Sequence, residues 1–333
     1  MKHANISLFV PHMGCPHQCS FCNQKTISGS VKPLTPEDVR ETLERAVNDN
    51  NEPLNTEVAF FGGSFTAIPR EYMISLLEAS KPFIERGFFN GVRISTRPDA
   101  IDEEILDILK EYHVKSIELG AQSTDEEVLT LNKRGHTRED VFTASHLIKS
   151  KGFSLGLQMM TGLLGDTDDK TLKTGDDIIS IKPDTVRIYP TVVLEGTELC
   201  EKYKTGEFIP QTLENAVDIC GKLLKKFHHN NIKVIRLGLH SGGNVEEGFV
   251  AGVYHPAFGE LCESAVYLNI LKEKLKDFED EKDFTVFVKP SEISKMTGHK
   301  GCNKQLLLNE GYTIIVKGDE SLSKYELKLK GRK

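Results

Sequence analysis

The chain has 333 residues with 38% hydrophobic and 27% charged side chains, 27 glycines and 13 prolines. This composition is that of a globular protein and excludes collagen-like, low-complexity and largely disordered classes. Because 42 Lys and Arg face 49 Asp and Glu, the net charge is −7, which excludes bulk phosphate attraction as the main source of affinity. Residues 286–333 nevertheless carry ten basic and five acidic side chains, so any nucleic-acid surface is expected near the C-terminus.

The chain has no apolar run of the roughly 20 residues that a membrane helix needs, and its first residues lack the apolar segment of a signal peptide. We therefore expect a cytoplasmic protein that does not contact a membrane. The seven cysteines are then expected to be reduced, and their spacing is the informative property. Cys15, Cys19 and Cys22 fall within eight residues, whereas Cys220 lies in a helical pattern and is predicted to belong to the core.

Short β-branched or apolar runs recur along the chain and are predicted to be buried strands. They lie at residues 6–10, 58–61, 92–95, 116–119, 154–159, 185–189 and 234–237. Amphipathic stretches of helical period lie between them, for example at residues 36–47, where Thr35 and Pro36 supply a helix start. Strand and helix alternating about seven times predicts an α/β fold with parallel strands, as a partial or full (β/α) barrel.

The alternation stops after Leu237, so a second region is expected. A helical stretch near residues 258–275 is followed by strand candidates at residues 285–288, 312–316 and 325–329. We divide the chain into a barrel core of residues 1–240 and a C-terminal extension of residues 241–333, made of a helix and a small α+β module. In barrels the chemistry lies at the carboxyl ends of the strands, so the residues that follow each strand are the candidates for function.

The strongest motif is CxxxCxxC, formed by Cys15, Cys19 and Cys22 on the loop after the first strand. Three thiolates on one loop can bind three irons of a [4Fe-4S] cluster and leave the fourth iron without a protein ligand. S-adenosylmethionine (SAM) can chelate that iron through its amino and carboxylate groups. The competing interpretation is structural zinc with His12 or His17 as fourth ligand, but zinc sites normally use paired spacings, and the sequence has no partner pair.

This motif, with an aromatic residue before the third cysteine, resembles that of radical SAM enzymes. The resemblance implies a [4Fe-4S] cluster held by the three cysteines, with SAM as the second cofactor. Gly62 and Gly63, after the second strand, resemble the glycine pair whose backbone meets the SAM amino group. Ser95, after the third strand, lies where the family contacts the nucleoside.

Two further positions match a pattern of oxygen-independent coproporphyrinogen oxidases and the Elongator catalytic subunit. Gln122 and Arg134 stand twelve residues apart, as do a glutamine and an arginine that hold the ribose and the carboxylate of SAM in the former group. A forked guanidinium suits a carboxylate, and an amide suits a ribose diol. Gln158 occupies the position at which relatives have a ribose-binding acid, and it is a candidate for the same contact.

Among radical SAM enzymes, the chain most resembles the radical domain of the Elongator catalytic subunit and its short bacterial relatives. The resemblance rests on residues 63–66, 95–99, 118–123 and 187–191. Full-length Elongator subunits add an acetyltransferase domain and carboxymethylate the wobble uridine of tRNA; because the chain ends at Lys333, we expect no such domain here. The resemblance implies an enzyme that cleaves SAM to a 5′-deoxyadenosyl radical and acts on tRNA or a small metabolite, with a reducing partner such as flavodoxin or ferredoxin.

Two other functions remain open. One is a coproporphyrinogen-oxidase-like enzyme acting on a tetrapyrrole, although that group usually has a further cysteine where this chain has Gln24. The other is a non-catalytic iron–sulfur or zinc protein that uses the barrel as a binding scaffold. This second function makes no use of Gln122 and Arg134.

Candidates for substrate chemistry lie around the predicted barrel mouth. Tyr189 follows the sixth strand, His240 ends the seventh, and His255 lies in the next loop. A histidine can orient a substrate or move a proton, and a tyrosine can line the site or pack. Arg97 and Glu118 are expected to pair inside the barrel, because an unpartnered buried charge is costly.

Overall fold

The computed structural model describes residues 4–10, 18–23, 32–49, 52–239, 244–278 and 281–332. Short strands alternate with helices over most of these residues, as the apolar runs predict. The strands are β1 (Ala4–Val10), β2 (Thr56–Gly62), β3 (Gly91–Thr96), β4 (Val114–Gln122), β5 (Ser154–Thr161), β6 (Thr185–Pro190), β7 (Val192–Leu194), β8 (Lys233–Leu237), β9 (Phe249–Gly252), β10 (Asp283–Val288), β11 (Thr313–Gly318) and β12 (Leu327–Gly331).

The helices follow the strands in the crossover order of an α/β protein. They are α1 (Pro36–Asp49), α2 (Arg70–Glu85), α3 (Glu103–Glu111), α4 (Glu126–Leu131), α5 (Arg138–Ser150), α6 (Asp168–Ile181), α7 (Glu198–Lys204), α8 (Leu213–His229), α9 (Asn244–Glu247), α10 (Phe258–Leu275), α11 (Ile293–Thr297) and α12 (Cys302–Asn309). None of the helices in the described part of the chain has the length and apolar character needed to cross a membrane.

Local sequence explains where most of these helices begin. Asp102, Thr137, Thr167 and Thr212 each accept a hydrogen bond from a backbone N–H in the first turn of the helix that follows. Thr35 and Asp38 form the same reciprocal contact at the start of α1. These side chains satisfy backbone donors that the helix itself leaves unpaired.

Seven parallel strands form the main sheet in the order β1-β2-β3-β4-β5-β6-β8. The sheet curls into a half-barrel with its crossover helices on the outside, so the expected (β/α) barrel is confirmed in its partial form. Parallel strands place all their carboxyl ends at one edge. Residues that follow β1 to β6 therefore converge there although they are distant in sequence.

The two faces of this sheet differ in chemistry. On β4, Ile117 and Leu119 belong to the hydrophobic core under the helices, whereas Glu118 points to the other face. We call that inner face the lumen. Its strand side chains include Glu57, Arg93, Glu118, Gln158, Arg187, Tyr189 and Arg236.

The C-terminal part of the chain contains three further units. The short strands β7 and β9 form an antiparallel ribbon, which sequence periodicity missed because each strand has only three or four residues. Helix α10 packs against α8, where Cys220 and Cys262 are fully buried, as predicted for Cys220. Strands β11, β10 and β12 form a separate three-stranded sheet. The domain boundary at residue 240 stays a prediction, because one continuous hydrophobic cluster contains residues from both sides of it.

Candidate functional site

The cysteine-bearing loop is fastened at two places in the half-barrel. Ser20 donates its hydroxyl to the side-chain oxygen of Asn132 at 2.8 Å, and its backbone N–H donates to the Asn132 carbonyl at 3.2 Å. On the other side, the backbone N–H of Leu199 donates to the Ser20 carbonyl at 2.8 Å. The Cys22 backbone N–H donates a hydrogen bond to the Cys19 carbonyl at 3.1 Å. Because Ser20 between them is bound to Asn132, both cysteines lie near the carboxyl edge of the sheet. Cys15 lies outside the described residues.

Arg134 joins this loop to the end of β4. Its Nη1 lies 3.0 Å from Sγ of Cys19, and its Nη2 donates to the Gly120 carbonyl at 2.6 Å. Its Nε is buried and has no hydrogen-bond partner in the described part of the chain. This arginine approaches a predicted cluster ligand and has an Nε donor that is still available. Its guanidinium can therefore donate hydrogen bonds to both oxygens of a carboxylate at this point.

Backbone approach at the second strand requires glycine. Gly62 has φ +114°, and a Cβ built on it would lie 2.4 Å from the Val10 carbonyl oxygen. The N–H of Gly63 donates to that same oxygen at 3.1 Å. The glycine pair therefore holds the end of β2 against the end of β1, immediately before the cysteine loop.

Two further polar side chains lie near Arg134 at the carboxyl ends of the strands. We call Ser95, Gln122 and Arg134 together the cradle. Oε1 of Gln122 and Oγ of Ser95 are buried and make no hydrogen bond with any of the described residues. Gln122 has φ +63°, a conformation that side chains other than glycine rarely adopt. A Cβ on Gly120 would lie 3.1 Å from Nε2 of Gln122 and 3.6 Å from Nη2 of Arg134, so the missing side chain leaves room between them. The amide of Gln122, the hydroxyl of Ser95 and the guanidinium of Arg134 can each still form a hydrogen bond, and these groups suit the polar groups of SAM.

Gln158 has a different neighbour from the one that its sequence position suggests. Its Nε2 donates to Oε2 of Glu118 at 2.9 Å, inside the lumen. A contact between Gln158 and a ribose stays a prediction. Within the described protein, its side chain holds Glu118 in place.

The expected pairing of Arg97 with Glu118 is wrong. Arg97 lies beyond the end of β3 and binds Asp99 through Nε at 2.5 Å and through Nη2 at 2.8 Å. Its Nη2 also donates to the Arg134 carbonyl at 2.7 Å. Glu118 pairs instead with Arg93 at 2.9 Å and Arg187 at 2.8 Å, because both guanidinium groups project from strands into the lumen beside it.

Arg93 and His136 lie near the candidate site but were not predicted from the sequence. Arg93 bridges the carboxylates of Glu57 and Glu118, and the available signal was a charge between Val92 and Ile94 in an otherwise apolar strand. His136, two residues after Arg134, is buried with Nε2 at 3.1 Å from the Ala121 carbonyl oxygen. Burial lowers the pKa of His136 to about 4, so the ring is neutral at physiological pH.

The three candidates for substrate chemistry lie in different places. Tyr189 faces the lumen, where burial raises the pKa of its hydroxyl, and its electrostatic neighbours are Arg187 and Arg236. His255 accepts a hydrogen bond at Nδ1 from the N–H of Ala257 at 3.0 Å, so the ring stabilises the turn before α10. His240 lies outside the described residues.

The zinc interpretation gains no support from the described part of the chain. No group of three or more His, Cys, Asp and Glu side chains converges there. His12 and His17, the two candidates for a fourth ligand, lie outside the described residues, as does Cys15.

Comparison with known proteins separates families that share such a half-barrel. The profile of the radical SAM superfamily matches residues 9–178, and that of the radical SAM C-terminal domain matches residues 183–267. A tRNA uridine(34) acetyltransferase of Methanocaldococcus jannaschii is 33% identical over 199 residues, which are 54% of this chain and 36% of that protein. Human Elongator complex protein 3 is 29% identical over 189 residues, covering 50% of this chain and 34% of that protein. The chain thus spans about a third of the length of these relatives.

A solved structure supports the same grouping. An N-terminally truncated Elp3 of the archaeon Methanocaldococcus infernus superposes with a TM-score of 0.63 at 25% identity. The superposition covers 83% of this chain and 64% of that one. It extends the similarity beyond the strands that carry the motifs.

Proposed function

Since the chain belongs to the radical SAM superfamily, we propose that this enzyme cleaves SAM reductively at a [4Fe-4S] cluster and modifies RNA of the tRNA class. Superfamily membership supports the cofactors, and the name of the Methanocaldococcus jannaschii relative, a tRNA uridine(34) acetyltransferase, supports the substrate. Acetyl transfer is not part of the proposal, because the matched residues cover only about a third of those relatives. The expected absence of an acetyltransferase domain stays a prediction.

The contact between Arg134 and Cys19 carries the proposal. It places a guanidinium with an unused Nε beside a cysteine of the CxxxCxxC motif. A purely structural metal site does not require this arginine, whereas an enzyme that must bind a carboxylate next to an iron does. Gln122, with its unpartnered Oε1, supplies a second polar group at the same strand edge.

Each group of this chain has a defined task in the proposed reaction. Cys15, Cys19 and Cys22 hold the cluster, Arg134 binds the SAM carboxylate, and the backbone at Gly62 and Gly63 meets its amino group. When bound, the cluster and SAM together supply a 5′-deoxyadenosyl radical.

The remaining polar groups orient the nucleoside and the substrate. Gln122 and Ser95 contact the nucleoside, and Gln158 holds Glu118 within the lumen, where the substrate enters. Tyr189 keeps its proton, since burial raises its pKa, and it donates a hydrogen bond toward the substrate.

The proposal includes a reducing partner such as flavodoxin or ferredoxin, and a cytosolic location in which the cysteine thiols stay reduced. A tetrapyrrole substrate is not favoured. The chain has Gln24 where coproporphyrinogen oxidases have a further cysteine, and the Methanocaldococcus jannaschii relative is named for a tRNA uridine.

The test uses the full chain, reconstituted with iron and sulfide without oxygen, reduced and supplied with SAM and bulk tRNA. We expect 5′-deoxyadenosine and methionine to form, together with a change in the nucleoside composition of the tRNA by mass spectrometry. Cys19→Ala and Arg134→Met should abolish both products. The matched controls Cys302→Ala and Arg45→Met, which alter a cysteine and an arginine outside the cradle, should keep them. Product formation that survives in Arg134→Met would contradict the assignment of the site.

A further inference from the structure

The lumen contains a chain of buried ion pairs whose members lie on four strands, namely β2, β3, β4 and β6. Glu57 on β2 binds Arg93 at 2.7 Å, and Arg93 binds Glu118 at 2.9 Å. Glu118 in turn binds Arg187 on β6 at 2.8 Å. Glu57 also accepts from the Ser116 hydroxyl at 2.8 Å. Each of these charges therefore has at least one partner of opposite sign.

Arg236 breaks this pattern. It lies directly beside Arg187 in the register of β6 and β8, so its side chain shares the lumen face. Its Nε donates to the Gly238 carbonyl at 2.9 Å, and no carboxylate in the described part of the chain forms an ion pair with it. The side chain of Arg236 is partly buried, and this burial lowers its pKa.

The charges of the lumen strands therefore do not balance. Arg93, Arg187 and Arg236 contribute three positive charges against the two negative charges of Glu57 and Glu118. A partly buried cation without a counterion is costly, and side chains of this kind are normally paired or ligand-bound. The imbalance lies on β6 and β8, at the other end of the strand order from β1 and β2.

Two further donors face the same place. Nε of Arg187 is buried and has no hydrogen-bond partner among the residues that the structure describes, although its Nη2 is bound to Glu118. The Tyr189 hydroxyl has Arg187 and Arg236 as its positive neighbours. The ring of Phe61 lies 5.6 Å from the Arg187 guanidinium and restricts its orientation.

We propose that Arg236, Nε of Arg187 and the Tyr189 hydroxyl form a binding subsite for an oxyanion of the substrate, either a phosphate or a carboxylate. The inference rests on the proposed function in one respect, namely that the lumen is where the substrate binds. A forked guanidinium beside a second donor is the usual way in which proteins bind either group. An RNA substrate supplies the phosphate, and a small organic acid supplies the carboxylate.

The test measures anion binding to cluster-free protein, through the urea midpoint of unfolding at constant ionic strength. Inorganic phosphate and acetate replace chloride in two separate titrations, so the stronger anion identifies the class of oxyanion. We expect saturable stabilisation of the wild type by one of them, and an apparent dissociation constant at least about tenfold higher in Arg236→Met, which corresponds to about 1.4 kcal/mol.

Three further variants separate binding from structure. Arg236→Lys keeps the charge but loses the bond to Gly238 and the forked geometry, so it should bind the anion more weakly than the wild type and more tightly than Arg236→Met. Arg134→Met removes any anion that binds in the SAM cradle, so the stabilisation that remains in this variant is assigned to the lumen. Arg45→Met is the matched control, since Arg45 also donates Nε to a backbone carbonyl and has no carboxylate partner among the described residues.

Equal stabilisation of wild type and Arg236→Met, or no stabilisation of the wild type by either anion, would overturn the subsite. This titration requires neither iron nor SAM. Absence of 5′-deoxyadenosine in the reconstituted wild type therefore contradicts the proposed function and leaves the anion measurement intact, so the two failures are distinguishable.

Discussion

Removal of Glu118 tests how strongly the lumen depends on its ion pairs. Its carboxylate accepts bonds from Arg93 at 2.9 Å, Arg187 at 2.8 Å and Gln158 at 2.9 Å, and its side chain is only 1% exposed. In Glu118→Ala, Arg93 keeps Glu57 as a partner, but Arg187 loses its only carboxylate in the described structure. One stranded buried cation costs about 3–5 kcal/mol, so we expect a loss of that size in the free energy of unfolding.

Urea denaturation, followed by circular dichroism, measures this loss as a shift of the midpoint. The double variant Glu118→Leu with Arg187→Met removes both charges together and should be less destabilised than Glu118→Ala. Glu104→Ala is the control, because Glu104 pairs with Arg70 on the surface with a side chain that is 68% exposed. That pair should contribute at most about 1 kcal/mol. If Glu118→Ala costs no more than this control, or if the double variant is the less stable of the two, the reasoning is refuted.

Three other changes give separate tests. The pKa of His136 falls to about 4 from an ordinary 6.5, so the unfolded chain takes up the proton at a higher pH than the folded chain. The free energy of unfolding should therefore decline by up to about 3 kcal/mol as pH falls from 6.5 to 4. In urea denaturation, His136→Gln should flatten this dependence of the unfolding free energy on pH. Gly62→Ala should cost more than about 1 kcal/mol and more than Gly87→Ala, which has φ +77° but no atom near the added Cβ; equal urea midpoints would contradict the clash with Val10. Asn132→Ala should lower the iron bound per chain after reconstitution, since it removes the side-chain hydrogen bond from Ser20 that helps to hold the cysteine loop, and an unchanged iron content would show that this bond is dispensable.

The strands and crossover helices were predictable because their signals are local. Each predicted run of the main sheet lies inside an observed strand, and the predicted helix at residues 258–275 coincides with α10. The motif spacing also brought Gln122, Arg134 and Cys19 into one interpretation, and the structure places Arg134 against Cys19. Short β7 and β9 were not predictable, since a strand of three or four residues has too few alternations to show a period.

Partner choice inside the lumen lay beyond the sequence. Alternation along a strand shows which face a residue occupies, but it does not show which neighbour it meets across the sheet. Arg97 therefore appeared to be a partner for Glu118, whereas it follows the end of its strand and meets Asp99. The correct partners, Arg93 and Arg187, became visible only once the register of the strands was known.

The proposed cofactor site and the proposed substrate subsite use different strands of one sheet. In the proposed function, the groups that hold the cofactors come from β1 to β4 and the loops that follow them, whereas Arg187 and Arg236 belong to β6 and β8. We therefore expect mutations on β6 and β8 to change which substrate binds and to leave radical formation unaffected. New substrate ranges can arise in this architecture by drift at a few positions, and a laboratory library at Tyr189 and Arg236 samples that same route.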